Sequence, residues 1–250
     1  MDLQEIVKRY ADGLAFADTQ PHPRRVNPRT GVIYLTGVKS LPEQDAVHAV
    51  TTWWGAEFSS DFIPPNGQVE GVKYNTIPRA KCDHVFTTDH NLHPPEWAVE
   101  VKHIALIGDN GKRNDYAVAK VLSPFLKDRS LLHDVVRLRS DPPARRLAVI
   151  GYTFDYDLTT CTEARLRHPE HPEEIQNIED VVNNNGGVLS IQPLLNFADG
   201  ILRVRNFVVG PMCQEKFLAW RHPCGGRGLV FGWEISNPNT TVGFDPRHPW

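Results

Sequence analysis

Long apolar runs are missing from this chain of 250 residues. No stretch approaches the ~18 apolar residues that a membrane-crossing helix needs. The N-terminal MDLQEIVKRYADG has no apolar core behind a basic start, so no signal peptide is expected. Cysteine is scarce. Cys82, Cys161, Cys213 and Cys224 form no CxxC pair, which speaks against a disulfide framework. Cys213, His222 and Cys224 come nearest to a zinc knuckle, but no fourth ligand is evident. An excess of positive charge is missing too: 27 Lys and Arg stand against 30 Asp and Glu, for a net charge of -3. Any polyanionic partner must therefore be met by local basic patches. These absences predict a cytoplasmic protein with reduced thiols and no membrane partner.

What is present is ordinary for a globular chain, with 40% hydrophobic and 23% charged residues. The 20 prolines cut the chain into short elements and argue against a helical bundle. The length suits a single domain.

Leu3, Ile6, Val7, Tyr10 and Leu14 recur at helical steps and predict a helix over 2–16. A short strand is expected at VIYLTGV, 32–38. Ser40 then reads as the N-cap of a helix running to about Phe58, with Pro42 in its first turn. Val47, Val50, Trp54 and Glu57 share one face of that helix. Residues 59–78 are loop-like, with a turn at Pro64-Pro65-Asn66-Gly67. Strands follow over Lys81–Thr88 and Trp97–Ile107, joined by a hairpin connection. Helices are expected over 115–122 and 130–139, then a buried strand over 146–152. A polar helical stretch over 162–182 and an NNNGG turn lead to further strands over 188–191, 201–209 and 228–235.

The chemistry is concentrated in Asp83 and in Glu100-Val101-Lys102, with sixteen residues between Asp83 and Glu100. In a strand, residues i and i+2 share a face, so Glu100 and Lys102 project together while Val99 and Val101 point into the core. A surface Glu-Lys pair on an edge strand is the plain alternative. The apolar neighbours Val99, Val101, Ile104, Leu106 and Ile107 argue instead for a central strand. Buried charges need a partner or a metal. Two carboxylates suit Mg²⁺, a hard cation that prefers oxygen ligands. A bound metal acidifies water, and a neighbouring ammonium stabilises charge on a phosphate.

The stretches CDHVF and WAVEVKHI resemble the active-site hairpin of the PD-(D/E)xK nuclease superfamily, which includes many type II restriction endonucleases. The resemblance covers about residues 40–155. Asp83 matches the first acid, Glu100 the second and Lys102 the lysine, while Cys82 stands where the family has proline. The resemblance implies a restriction-endonuclease-like mixed β-sheet flanked by helices. It implies a site-specific endonuclease acting on double-stranded DNA, with Mg²⁺ or Mn²⁺ held by Asp83, Glu100 and the carbonyl of Val101. It also implies a glutamate from the first core helix. Glu57 is the first choice for it, and Glu43 the rival.

On this reading 1–250 form one nuclease domain. Its core lies at about 40–155, and a strand-rich elaboration over 156–250 reads DNA or pairs subunits. Two cuts on opposite strands favour a homodimer. Basic residues expected to touch DNA are Lys127, Arg129, Arg137 and Arg139, and Arg203 with Arg205 on one strand face. The alternatives are a repair or RNA-processing nuclease of the same superfamily, or a non-catalytic DNA-binding protein.

Overall fold

A computed structural model describes residues 1–22, 26, 31, 33, 35–61, 69–88, 95–114, 117–123 and 130–237. Helix α1 (Leu3–Thr19) opens the chain. Its stripe of Leu3, Ile6, Val7, Tyr10 and Leu14 is buried as expected, and Asp2 caps it by accepting from Glu5 N. Helix α2 (Glu43–Glu57) follows and buries Val47, Val50 and Trp54. Ser40 is not its N-cap. That position is Pro42, and the Ser40 hydroxyl instead donates to the carbonyls of Leu35 and Gly37. The strand expected over 32–38 does not form where it is described: Val38–Ser40 is a turn of 3-10 helix.

One mixed sheet organises the rest. Strands β1 (Glu70–Lys73), β2 (Lys81–Phe86) and β3 (Trp97–His103) form an antiparallel meander. Helices α3 (Ala117–Leu122) and α4 (Leu131–Ser140) lead to β4 (Arg146–Asp157), which lies parallel to β3. Ser130, expected as the first helical residue, is instead the N-cap of α4, accepting from His133 N. The polar stretch after β4 is two helices, α5 (Leu158–Arg167) and α6 (Pro172–Asn184). Then come the short β5 (Val188–Leu189), α7 (Gln192–Val204), β6 (Val208–Ala219) and β7 (Gly226–Ile235). The sheet order is β1-β2-β3-β4-β7-β6, with β5 beside the end of β4. This is the mixed sheet flanked by helices, with a strand-rich C-terminal part, that the sequence predicts.

Two expectations fail in the last hundred residues. The strand expected over 201–209 is the end of α7 and the start of β6. Leu195, Ala198 and Leu202 bury one helical face, and Asn206, with φ at 53°, reverses the chain before Val208. Asparagine tolerates that left-handed conformation better than most residues. The second concerns the boundary at 155. β7 pairs with β4 from Leu147↔Ile235 to Asp155↔Arg227, and α1 packs on β6 and β7. The C-terminal strands thus complete the sheet that carries the site and are no appendage to it. Gly151 permits this pairing, because a Cβ there would overlap the Phe231 ring that lies across it.

Candidate active site

Glu100 and Lys102 sit on β3, in the middle of the sheet, and are 2% and 7% exposed. The alternating Val99 and Val101 are fully buried, so β3 is a central strand with charges on one face. The β2–β3 pairing runs through Phe86↔Trp97, Val85↔Ala98 and His84↔Val99. Beyond that point the Val101 amide donates to the Asp83 carboxylate at 2.7 Å. Asp83 thereby takes up a backbone donor that would otherwise be orphaned, and its carboxyl is brought beside Glu100.

Three elements converge on this fork. From β1's end, Tyr74 donates its hydroxyl to Glu100 Oε1 at 2.5 Å. From α4, Arg137 Nε donates to the same oxygen at 3.0 Å. Arg137 also pairs with Asp134 Oδ1 at 2.7 Å, one turn back on its helix. From the first turn of α2, Glu43 Oε1 meets Lys102 Nζ at 3.1 Å, and its other oxygen accepts from His103 N at 2.7 Å. Asp134 Oδ2 lies 3.2 Å from Lys102 Nζ. Four acids, two cations and a phenol so form one network.

The electrostatics follow from burial and crowding. Burial raises the Asp83 carboxyl above its usual range, against the Val101 N–H bond and a hydrogen bond to Glu100. Burial raises Glu100 further, and the negative charges of Asp83 and Asp134 add to it. Burial also raises Asp134, while Lys102 and Arg137 pull it back. Burial alone would lower Lys102, but Asp134 and Glu43 hold its ammonium above the ordinary value, so it stays charged. Two neighbouring carboxylates that resist sharing one negative region attract a cation.

The sequence placed Asp83, Glu100 and Lys102 together, and the structure does the same. It alters their partners. Among the described residues the ion-pair partners of Lys102 are Glu43 and Asp134, not Asp83. Glu57 is corrected: it is exposed at the far end of α2, about 21 Å of helix rise from Glu43. Glu43, the rival, is the helix acid in the site. Tyr74 and Asp134 went unnoticed in the sequence, though an aspartate on the apolar stripe of Leu131, Val135 and Leu138 is a signal that could have been read.

The expected DNA contacts fare differently. Lys127 and Arg129 lie outside the described residues. Arg137 belongs to the site itself. Arg139 is buried and donates to the carbonyls of Asn206 and Ser236, a structural role. Arg203 and Arg205 share no strand face: Arg203 is on α7, paired with Asp199, and Arg205 is its C-cap. The described histidines near by are packed into the fold. Burial lowers His84 to about 3, and Tyr10 and Thr51 bond it. His103 stacks on Tyr152. His90 and His93 lie outside the described residues.

The donor set suits a hard divalent cation, since Asp83 and Glu100 offer adjacent carboxylate oxygens and Glu43 is near by. Among the described residues no three acidic, His or Cys side chains converge as a preformed metal cage. Glu100 is instead capped by Arg137 and Tyr74. The Cys213, His222 and Cys224 set resolves otherwise: His222 Nδ1 accepts from Cys224 N, and the Cys224 thiol meets the Asp109 carbonyl. No family model, no curated protein and no solved structure matches the chain. No helix among the described residues is long and apolar enough to cross a membrane.

Proposed function

We propose that this chain is a metal-dependent nuclease of the PD-(D/E)xK kind, hydrolysing DNA phosphodiester bonds. One observation carries the reading: Asp83 and Glu100 meet where β2 and β3 part, with the charged Lys102 on the same face. Asp83 and Glu100 would hold Mg²⁺ or Mn²⁺, with Val101 and water as further oxygen donors. A bound divalent ion supplies an acidified water and neutralises charge on the phosphate.

The chain's own residues do the rest. Lys102 presents a fixed ammonium to the phosphate or the attacking water, and Glu43 with Asp134 keeps it charged and aimed. Arg137 and Tyr74 hold Glu100 in one orientation. Because the reaction on a duplex involves both strands, we propose a homodimer with one site for each, cutting at specific sequences.

The test is incubation of the purified protein with plasmid and linear duplex DNA in Mg²⁺ or in EDTA. Discrete fragments in Mg²⁺ alone are expected. Cleavage undiminished by excess EDTA, or none with any divalent ion, would overturn the reading.

A further inference from the structure

The turn between β1 and β2 encloses a hollow of about 470 Å³, with Lys73, Arg79 and Lys81 at its rim and Tyr74 in its wall. Tyr74 is the residue whose hydroxyl meets Glu100. Tyr74 thus links the wall of the hollow to the candidate active site.

Three observations set this rim apart. The first is charge. Of the other exposed cations, Lys8, Arg165 and Arg203 each pair with a carboxylate. Lys73, Arg79 and Lys81 are exposed and make no ion pair with any described residue. The nearby Asp141 turns its carboxylate inward, to Thr76 N and Asn75. The second is register. Lys73 and Lys81 are direct cross-strand partners. Like charges facing each other across an antiparallel pair are destabilising. The third is backbone strain. Arg79 has a φ of 65°, in the left-handed region that glycine occupies freely. An arginine there costs stability, and its side chain offers no bond within the described structure in return. Strain of this kind is held at functional positions.

A polyanion along the rim would relieve the repulsion and pair the free charges, and its contacts would offset the backbone cost at Arg79. We propose that Lys73, Arg79 and Lys81 seat the sugar-phosphate backbone of duplex DNA and lead it past Tyr74 to Asp83 and Glu100. The identity of the polyanion rests on the nuclease reading; the location rests on the hairpin alone. It replaces the positions expected from sequence, of which Arg139 and Arg203 already have partners within the protein.

The experiment measures binding and cleavage separately. A fluorescent DNA duplex is titrated with protein in EDTA across about 50–200 mM salt, where each lost phosphate contact flattens the plot of log affinity against log salt by about 0.9. The variant Lys73→Ala/Arg79→Ala/Lys81→Ala is expected to bind at least about tenfold more weakly at low salt, with a slope shallower by about 2.7. Lys8→Ala/Arg165→Ala/Arg203→Ala removes the same charge elsewhere and is expected to bind as the wild type does. Arg79→Gly is expected to melt at a higher temperature and yet bind more weakly, which separates lost contacts from lost folding. Unchanged affinity and slope in the first variant, an equal loss in the second, or a wild type that binds no duplex would overturn the proposal. Wild-type cleavage with an inert rim refutes the rim and leaves the nuclease standing. Binding lost at the rim with no cleavage under any divalent ion refutes the nuclease and leaves the rim.

Discussion

Lys102 Nζ lies 3.2 Å from Asp134 Oδ2, and this contact ties the central strand β3 to helix α4 through two buried charges. Removing one partner of a buried pair leaves the other uncompensated, at about 3–5 kcal/mol. Asp134→Asn is therefore expected to lower stability by roughly that amount, less whatever Glu43 retains. Lys102→Met/Asp134→Leu should recover part of the loss. Chemical denaturation of Lys102→Met, Asp134→Leu and the double variant measures it; additive losses would show that the pair is not coupled.

For activity, Lys102→Ala is expected to nearly abolish cleavage while preserving DNA binding, since phosphate contacts elsewhere supply most affinity. Lys102→Arg should also fail, because a planar fork does not replace a compact ammonium between two carboxylates. Cleavage in Mg²⁺ and gel shift in Ca²⁺ check both, and wild-type cutting by Lys102→Ala would remove the residue from the mechanism.

Glu43 and Glu57 occupy opposite ends of one helix, which makes them a matched pair for mutation. Glu43→Gln is expected to slow cleavage by at least about tenfold, or about 1.4 kcal/mol of barrier. Glu57→Ala, at an exposed helix end, should leave the rate within about twofold, under 0.5 kcal/mol. The reverse order in a single-turnover assay would restore Glu57 to the site.

Metal binding has a readout apart from turnover. A ligand that binds only the folded state raises its melting temperature as its concentration passes the dissociation constant. Mg²⁺ added to EDTA-stripped protein is expected to raise the melting temperature of the wild type. It should not raise that of Asp83→Asn/Glu100→Gln. Equal shifts in both would place the ion elsewhere.

Acid should act through His222. Burial, aided by the charge of Lys39, lowers this imidazole to about 3, against ~6.5 when unfolded. Between these values the unfolded chain binds the extra proton, so the stability contribution is complete above ~6.5 and falls with pH by up to about 1.4 kcal/mol per unit. His222→Asn keeps an acceptor for Cys224 N and removes the titration. The stability difference between the two proteins should therefore narrow or invert as pH falls from 7 towards 4 (roughly). Asp18 and Asp155, raised by burial, shift the opposite way but do so in both proteins and cancel. A difference that stays flat with pH would contradict a buried neutral His222.

The hairpin was legible because a strand's two-residue period puts Glu100 and Lys102 on one face whatever packs around them. Glu57 was misjudged because helical periodicity reports a face and not which end of that face meets the site. Only the packing of α2 across β3 decides for Glu43. Asp134 was hidden by its neighbours Arg137 and Arg139, which read as exposed cations. Burial of one against Glu100 and of the other against backbone carbonyls is a tertiary matter. The segment at Ile201–Val209 alternated well enough to pass for a strand, and the turn at Asn206 that divides it depends on how α7 docks. The rim was hidden because Lys73 lay in a segment read as loop, so neither its pairing with Lys81 nor the backbone angle at Arg79 could be inferred.

The place of β7 in the sheet has a consequence for synthesis. β4 is made early, yet its partner on the β7 side arrives only after everything between Asp157 and Gly226 has left the ribosome. For seconds, at ordinary elongation rates, a long apolar strand has one open edge. Such an edge is a template for pairing with other chains. The nascent protein is thus most prone to aggregate in the interval between the fourth and the last strand, and a chain that stalls there should be found with chaperones or in inclusion bodies.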